Sequence, residues 1–454
     1  MQTEEIKEHK TMNTPHESSL ESRILEVGEE LLSESQEESS SIFNKDWWYG
    51  KIMDWSMKND QFKTQMFRFV DVLPNLESST EVVKHMKEYF SEFEGNASIK
   101  SLFSFSTGIG SVAPGIVSSA IKKNVKQMAK MFITGATPEE ALVKIEESRN
   151  KNITFTADLL GEATLSEPEA KEYLDRYLEL IEKMSLKADS WQSIAQIDAD
   201  AHGDIPKVNI SVKLTSLYSQ IKIEDWDNTK EILKDKLRTI FTAAIEKNVF
   251  VNVDMESYKY KDLTLEVFKE LLDEIQYNNY PHFGIVIQAY LLDSKKDLEE
   301  LIAWSNKRTS PISVRLVKGA YWDYEVIHAK QQNWPIPVYT DKAKTDANYE
   351  DCCKMILEAK NIKLALASHN ARSIAYCMSL AERLNIPKND FEIQMLFGMA
   401  HSIKSNVIAK GYRIREYATI GDLIPGMAYL VRRLLENTSN ESFLRSKDVE
   451  QKDV

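Results

Sequence analysis

The chain has 454 residues, 43% of them hydrophobic and 28% charged, with a formal net charge of −13. That length exceeds a comfortable single core and points to one large domain with helical additions. The acidic balance argues against a nucleic-acid surface, and no uninterrupted apolar run is long enough to span a bilayer.

The first residues, MQTEEIKEHK, lack the basic start and apolar core of a secretory signal and are too acidic for a transit peptide. The three cysteines, Cys352, Cys353 and Cys377, fall in helix-like stretches without metal-ligand spacing. Reduced thiols in a cytosolic compartment are therefore expected.

Residues 1–44 are rich in Glu and Ser, a composition expected to stay mobile or only partly helical. Trp47, Trp48 and Tyr49 mark the start of ordered structure, and residues 45–150 read as a helical region. Trp55, Phe62, Met66, Phe69 and Val70 recur at helical spacing. Another helix is predicted over 82–93. Val125, Met128 and Phe132 share one face of a further helix beginning at Ile121. Thr137-Pro138-Glu139-Glu140 is a helix start, with a capping Thr and Pro at the first helical position.

From residue 151 to 445, β-rich runs alternate with amphipathic helices, and residues 446–454 form a tail. Strands are predicted at 153–157, 208–214, 249–255, 284–289, 312–318, 362–367, 391–396 and 412–418. Helices are predicted at 167–187, 229–247, 264–275, 295–306, 346–359 and 371–384. Such alternation implies parallel pairing through right-handed crossovers. Eight units point to an α/β fold of the closed (β/α)₈ type, a TIM-type barrel preceded by an α-helical N-terminal region. The alternative is an open doubly wound sheet, but no G-x-G-x-x-G follows any predicted strand.

Chemistry in such barrels sits at the C-terminal strand ends. Those ends carry Glu162, Lys213, Asp254 with Glu256, Gln288, Arg315 with Lys318, Ser368-His369-Asn370, Gln394 and Tyr417. Each alone has a bland reading. Lys213 can snorkel to solvent, Asp254 can cap a helix, and His369 can be a satisfied core histidine. Polar residues at every strand end are harder to assign to the scaffold, and the cations suit an anionic ligand. There is no G-x-S-x-G and no H-E-x-x-H. His369 beside Asp254 and Glu256 lacks ligand spacing, so no metal is expected. That pattern favours chemistry carried by a bound organic cofactor.

The last predicted helix places Tyr429, Arg432, Arg433 and Glu436 on one face. Periodicity alone makes it an ordinary surface helix with an Arg432–Glu436 pair. A functional reading lays it over the barrel mouth, with adjacent guanidiniums gripping a carboxylate.

VRLVKGAYWD, SHNA, FEIQMLFGM and YLVRRLLEN, in this order, together with ADLLGEATL and NISVKLTSLY, resemble the proline dehydrogenase family. The likeness is nearest to the proline dehydrogenase portion of the bacterial proline utilisation A flavoproteins and covers roughly residues 130 to 445. It implies a distorted barrel holding FAD non-covalently. It also implies oxidation of L-proline to pyrroline-5-carboxylate, hydride transfer to the flavin and electron delivery to a membrane quinone, with at most peripheral membrane contact.

By the same resemblance Lys213, Asp254 and Arg315 are catalytic. Lys213, Arg432 and Arg433 bind the proline carboxylate, and Leu396, Tyr417 and Tyr429 wall its ring. Glu162 pairs with Arg432 as a gate. Met255, Gln288, Arg315, Val317, Lys318, Gly319, Ala320 and Gln394 line the cofactor. Trp322 lies against its adenine, Ser368, His369 and Asn370 hold its tail, and Glu436 lies near it. Ser368 replaces a frequent Thr, and Tyr417 stands where hydroxyproline-preferring relatives carry a smaller residue, which favours proline. The chain is expected to lack the aldehyde dehydrogenase and DNA-binding modules of bifunctional relatives. Either it stands alone as an enzyme, or the second oxidation is on another chain, a separate pyrroline-5-carboxylate dehydrogenase. An inactive barrel acting as an assembly module for that enzyme is the alternative.

Overall fold

A computed structural model describes residues 15–33, 78–90, 132–161 and 164–422, with isolated positions at 65, 68, 69, 72, 76 and 119. Among these residues, helices α1 (Pro15–Leu32) and α2 (Ser79–Phe90) come first, then a short strand, β1 (Ile133–Gly135), and helix α3 (Pro138–Arg149). The alternation begins with β2 (Ile153–Leu159), α4 (Glu167–Ala188), β3 (Val208–Val212), α5 (Trp226–Glu246), β4 (Val249–Val253) and α6 (Lys261–Leu272). It continues through β5 (Phe283–Gln288), α7 (Ser294–Ser305), β6 (Ile312–Val317), α8 (Trp322–Gln332), α9 (Lys342–Glu358) and β7 (Ile362–Ala367). It ends with α10 (Ala371–Arg383), β8 (Glu392–Leu396), α11 (His401–Ala409) and β9 (Arg413–Ile420).

Strands β2 to β9 pair in parallel, each with its neighbour in sequence, and β9 also pairs with β2 from Ile414↔Ile153 to Ile420↔Leu159. The sheet is therefore a closed ring of eight strands, and the open alternative is ruled out. All eight predicted strands form. Those predicted at 208–214 and 249–255 end two residues early, which leaves Lys213 and Asp254 just past a strand end. Two helices go beyond the sequence reading. In α8, Trp322, Tyr324 and Ile327 are exposed, so no apolar stripe marks it. Helix α11 begins after Ala400 in a left-handed conformation (φ 53°) with no capping side chain.

The helix start at Thr137 forms as its residues dictate. The Thr137 hydroxyl accepts from the Glu140 N–H at 3.3 Å, and the Glu140 carboxylate accepts from the Ala136 N–H at 2.9 Å. Helix α2 has the same reciprocal cap between Ser78 and Glu81. Phe69 is buried edge-on against Phe90, with centroids 5.6 Å apart. Phe132 leads into β1, which pairs in parallel with β9 at Ile133↔Thr419. The other aromatic positions read as the N-terminal stripe, and the helix from Ile121, lie outside the described residues.

Within the segment read as mobile or partly helical, α1 is docked on the barrel. Ile24, Val27 and Leu31 are buried in the main core. Asn406 donates to the Leu31 carbonyl at 3.1 Å, and Arg372 bonds both Glu21 and Glu350. Arg23 of α1 pairs with Glu382 of α10 at 3.2 Å.

The strands bury both faces, as parallel strands do. Their outer faces meet the helices through Val, Ile, Leu and Phe. The inner face is polar. Arg315 of β6 reaches Ser211 of β3 across the ring, a contact possible only through the barrel interior. Among the described residues no helix is long and apolar enough to cross a membrane.

Candidate active site

The barrel mouth gathers five titratable side chains into one network. Arg315 donates from one guanidinium nitrogen to Asp254, from another to Ser211 at 3.0 Å, and from Nε to the Gln394 carbonyl oxygen at 2.7 Å. Tyr417 donates to the second Asp254 oxygen at 2.6 Å, and its ring lies 5.3 Å from the Arg315 guanidinium carbon. Lys213 is bonded to Asp158 and stands 4.0 Å from Asp254. The Asp158 charge also acts on the Tyr417 hydroxyl.

Two carboxylates and two cations thus neutralise one another in a buried space. Burial works against a charged Lys213, but Asp158 and Asp254 outweigh it and carry its pKa upward, so the ammonium persists. Burial pushes Asp158 up, against the pull of Lys213. Burial, with Asp158 and Asp254 nearby, holds the Tyr417 hydroxyl well above its ordinary value. It remains a phenol and a donor.

One flank of the mouth runs along β5 and β6. Gln288 donates its Nε2 to the Glu256 carbonyl at 3.1 Å, while its buried Oε1 has no donor. Such an acceptor fits the N–H of a planar ligand, because an unmet buried carbonyl is costly. Met255, next to Glu256 in sequence, is buried. The Glu256 carboxylate accepts from the Thr215 hydroxyl and N–H, and burial raises its pKa.

From Val317, the last residue of β6, the chain turns through Lys318, Gly319 and Ala320. Gly319 has φ +133°, and a Cβ there would lie 2.4 Å from the Tyr290 ring, so only glycine fits. Lys318 is paired with Asp346 at 2.5 Å, and burial lowers its pKa. Trp322 is 40% exposed and donates to the Tyr339 carbonyl at 2.8 Å.

On the adjoining flank, at the ends of β7 and β8, His369 Nε2 accepts from the Leu396 N–H at 2.9 Å, and Lys404 donates to the Leu396 carbonyl at 2.8 Å. Leu396 is thereby fixed at both its peptide polar groups. Ser368 accepts from the Asn370 N–H at 3.1 Å, and Asn370 caps α10 by accepting from the Ser373 N–H at 3.0 Å.

The structure therefore unites Lys213, Asp254, Arg315, Gln394 and Tyr417. It places Gln288 and Val317–Ala320 on one side and Ser368, His369, Asn370 and Leu396 on another. Glu162, Tyr429, Arg432, Arg433 and Glu436 lie outside the described residues. Three participants escape the sequence reading: Asp158, Ser211 and Glu392, whose carboxylate accepts from the Gln394 amide at 2.6 Å. The signal for Asp158 was an acid inside the apolar run of β2. Among the described residues no group of three His, Cys, Asp or Glu could hold a metal ion.

A family model described as proline dehydrogenase matches residues 141–446, and one described as the proline utilization A N-terminal domain matches residues 21–132. The bifunctional protein PutA of Escherichia coli (strain K12) is 30% identical over 344 residues, covering 74% of this chain and 25% of that protein. Proline dehydrogenase 1 of Bacillus subtilis (strain 168) is 28% identical, covering 70% of this chain and 89% of that protein. Among solved structures, proline utilization A from Bdellovibrio bacteriovorus, inactivated by N-propargylglycine, superposes with a TM-score of 0.84 at 55% identity. That match covers 95% of this chain and 42% of that one. The chain thus spans about a quarter of the PutA relatives first matched by sequence.

Proposed function

The chain belongs to the proline dehydrogenase family, and from that premise we propose that it oxidises L-proline to pyrroline-5-carboxylate with FAD, the electrons passing to a membrane quinone. The observation that carries this reading is the Lys213–Asp158–Asp254–Arg315–Tyr417 network, closed at the mouth where a small anionic substrate must enter. FAD, when bound, supplies the acceptor for the hydride equivalent leaving proline carbon 5.

The chain's own residues bind and orient. Lys213, persistently charged, meets the proline carboxylate, aided by Arg432 and Arg433. Tyr417, Tyr429 and Leu396 wall the ring, and Glu162 with Arg432 gates it. Asp254 orders Arg315 and Tyr417 together. Arg315 presents a cation where negative charge develops, the kind of fixed dipole or charge that lowers a barrier. The open Gln288 Oε1 receives a ring N–H, and Gly319 lets the backbone approach. Met255, Val317, Lys318, Ala320, Gln394 and Glu436 line the cofactor, Trp322 stacks on its adenine, and Ser368–Asn370 hold its tail.

The complete charge set favours an active enzyme over an inactive assembly module. A pyrroline-5-carboxylate dehydrogenase activity is what consumes the product. The expected setting is the cytoplasm with peripheral contact at the inner membrane. The test is optical: a yellow protein as purified, bleached by L-proline. A colourless protein that cannot be reconstituted with FAD overturns the reading.

A further inference from the structure

Glu392 and Gln394 are two residues apart on β8 and so project to the same face. The Gln394 amide is used at both ends. Its Oε1 accepts from Arg315 Nε at 2.7 Å, and its Nε2 donates to Glu392 Oε1 at 2.6 Å. A guanidinium only donates and an ionised carboxylate only accepts, so the amide has one permitted orientation. Turned over, it would set N–H against N–H on one side and oxygen against oxygen on the other.

Glu392 is itself gripped. Its two oxygens accept from Arg415 Nε at 2.7 Å and from a terminal Arg415 nitrogen at 2.9 Å, and Arg413 stands 3.8 Å away. Arg415 is anchored in turn to the Phe155 carbonyl at 2.6 Å. Although buried, the Glu392 carboxyl is held down to about 2 by Arg415 and Arg413, so it is always an acceptor. A chain of directional bonds thus runs inside the barrel from Arg415 through Glu392 and Gln394 to Arg315 at the mouth.

We propose that Glu392 is a positioning residue for the reaction. By fixing the Gln394 amide it presents a carbonyl oxygen, not an N–H, to Arg315, and so keeps the guanidinium engaged with Asp254 and Ser211. This rests on the FAD-dependent proline oxidation proposed above. A buried ion pair seldom adds net stability over an apolar replacement, so a set as charged as Glu392, Arg413 and Arg415 is better explained by orientation than by scaffold strength.

The full chain and its Glu392→Gln variant, both with FAD, are compared by melting temperature, flavin midpoint potential, and kcat and KM for L-proline. In Glu392→Gln the carboxylate that dictates the amide orientation is gone. The expected result is a displaced midpoint potential and a kcat lowered about tenfold or more, since small misplacements of a positioned group are costly. KM should change by less than about threefold, because the substrate carboxylate is held elsewhere.

The exchange variant E392Q/Q394E keeps the net charge and restores the donor–acceptor match between positions 392, 394 and 315, at the loss of one of the two Arg415 bonds. The amide now at position 392 accepts from Arg415 and donates to the carboxylate now at position 394, which accepts from Arg315. It should fold, yet set a carboxylate against Arg315 and drive the potential below that of wild type. Unchanged potential and kcat in both variants overturn the proposal. Failure of both to fold assigns Glu392 to the scaffold and also overturns it. A wild type that neither holds FAD nor oxidises proline overturns the functional reading and this proposal with it, whereas an active wild type with indifferent variants overturns this proposal alone.

Discussion

Tyr417 donates its phenolic proton to Asp254 at 2.6 Å, while the other Asp254 oxygen is taken by Arg315. One carboxylate is thus shared by a neutral donor from β9 and a cation from β6. Tyr417→Phe keeps the ring over Arg315 and leaves Asp254 one donor short. An unmet buried acceptor costs about 1–3 kcal/mol. The variant should melt at a lower temperature and show a lower kcat/KM for L-proline. Wild-type values for both would leave the bond without a role.

Gly319 turns the chain beside Tyr290 with φ +133°. In Gly319→Ala the new Cβ meets the Tyr290 ring at 2.4 Å, and the ring or the loop must move. Strain of this kind costs about 1–3 kcal/mol. Because the loop is assigned to the cofactor, the loss should appear in FAD retention. The ratio of flavin to protein absorbance after dialysis should fall clearly, with far-UV circular dichroism unchanged.

Lys213, Asp254 and Arg315 are legible in the sequence because a charge at the end of an apolar strand has few comfortable fates. The ring of eight strands is legible because each is an apolar run set between amphipathic helices. Asp158 is harder, since it sits inside β2 and Glu162, four residues on, takes the place of the strand end. Glu392 and Arg415 are harder still. Their partnership depends on the β8–β9 register, with Glu392 opposite Arg413 and Gln394 opposite Arg415, and no single strand contains that information. Strand β1 has only three residues, too few to carry a period. Docked α1 shows the converse problem: a Glu- and Ser-rich composition conceals the narrow stripe of Ile24, Val27 and Leu31.

His282 lies between Phe250 and Tyr280, with Lys363 and Asp200 nearby. Burial first, then Lys363, lowers its pKa from the ordinary 6.5 to about 4. Below pH 6.5 the unfolded chain takes up a proton that the folded chain refuses until about pH 4. Stability is therefore full above 6.5 and falls through that window, by up to about 3 kcal/mol. His282→Phe retains a ring and removes the titration. Its urea midpoint should change less between pH 7.5 and 5.0 than that of wild type. Parallel pH profiles would remove His282 as the cause.

Lys404 is 2% exposed, yet its ammonium serves both the Leu396 carbonyl at 2.8 Å and the Glu416 carboxylate. The second Glu416 oxygen accepts from Ser148 at 2.9 Å. Lys404→Met leaves Glu416 charged and nearly unpaired in the core, which costs about 3–5 kcal/mol. Lys404→Met combined with Glu416→Leu removes both charges, so the melting temperature should largely return. The Leu396 carbonyl, however, remains without its donor in both variants. If Leu396 walls the proline ring, KM for L-proline should stay raised in the double variant after stability has recovered. Recovery of KM together with the melting temperature would make Lys404 a purely structural residue.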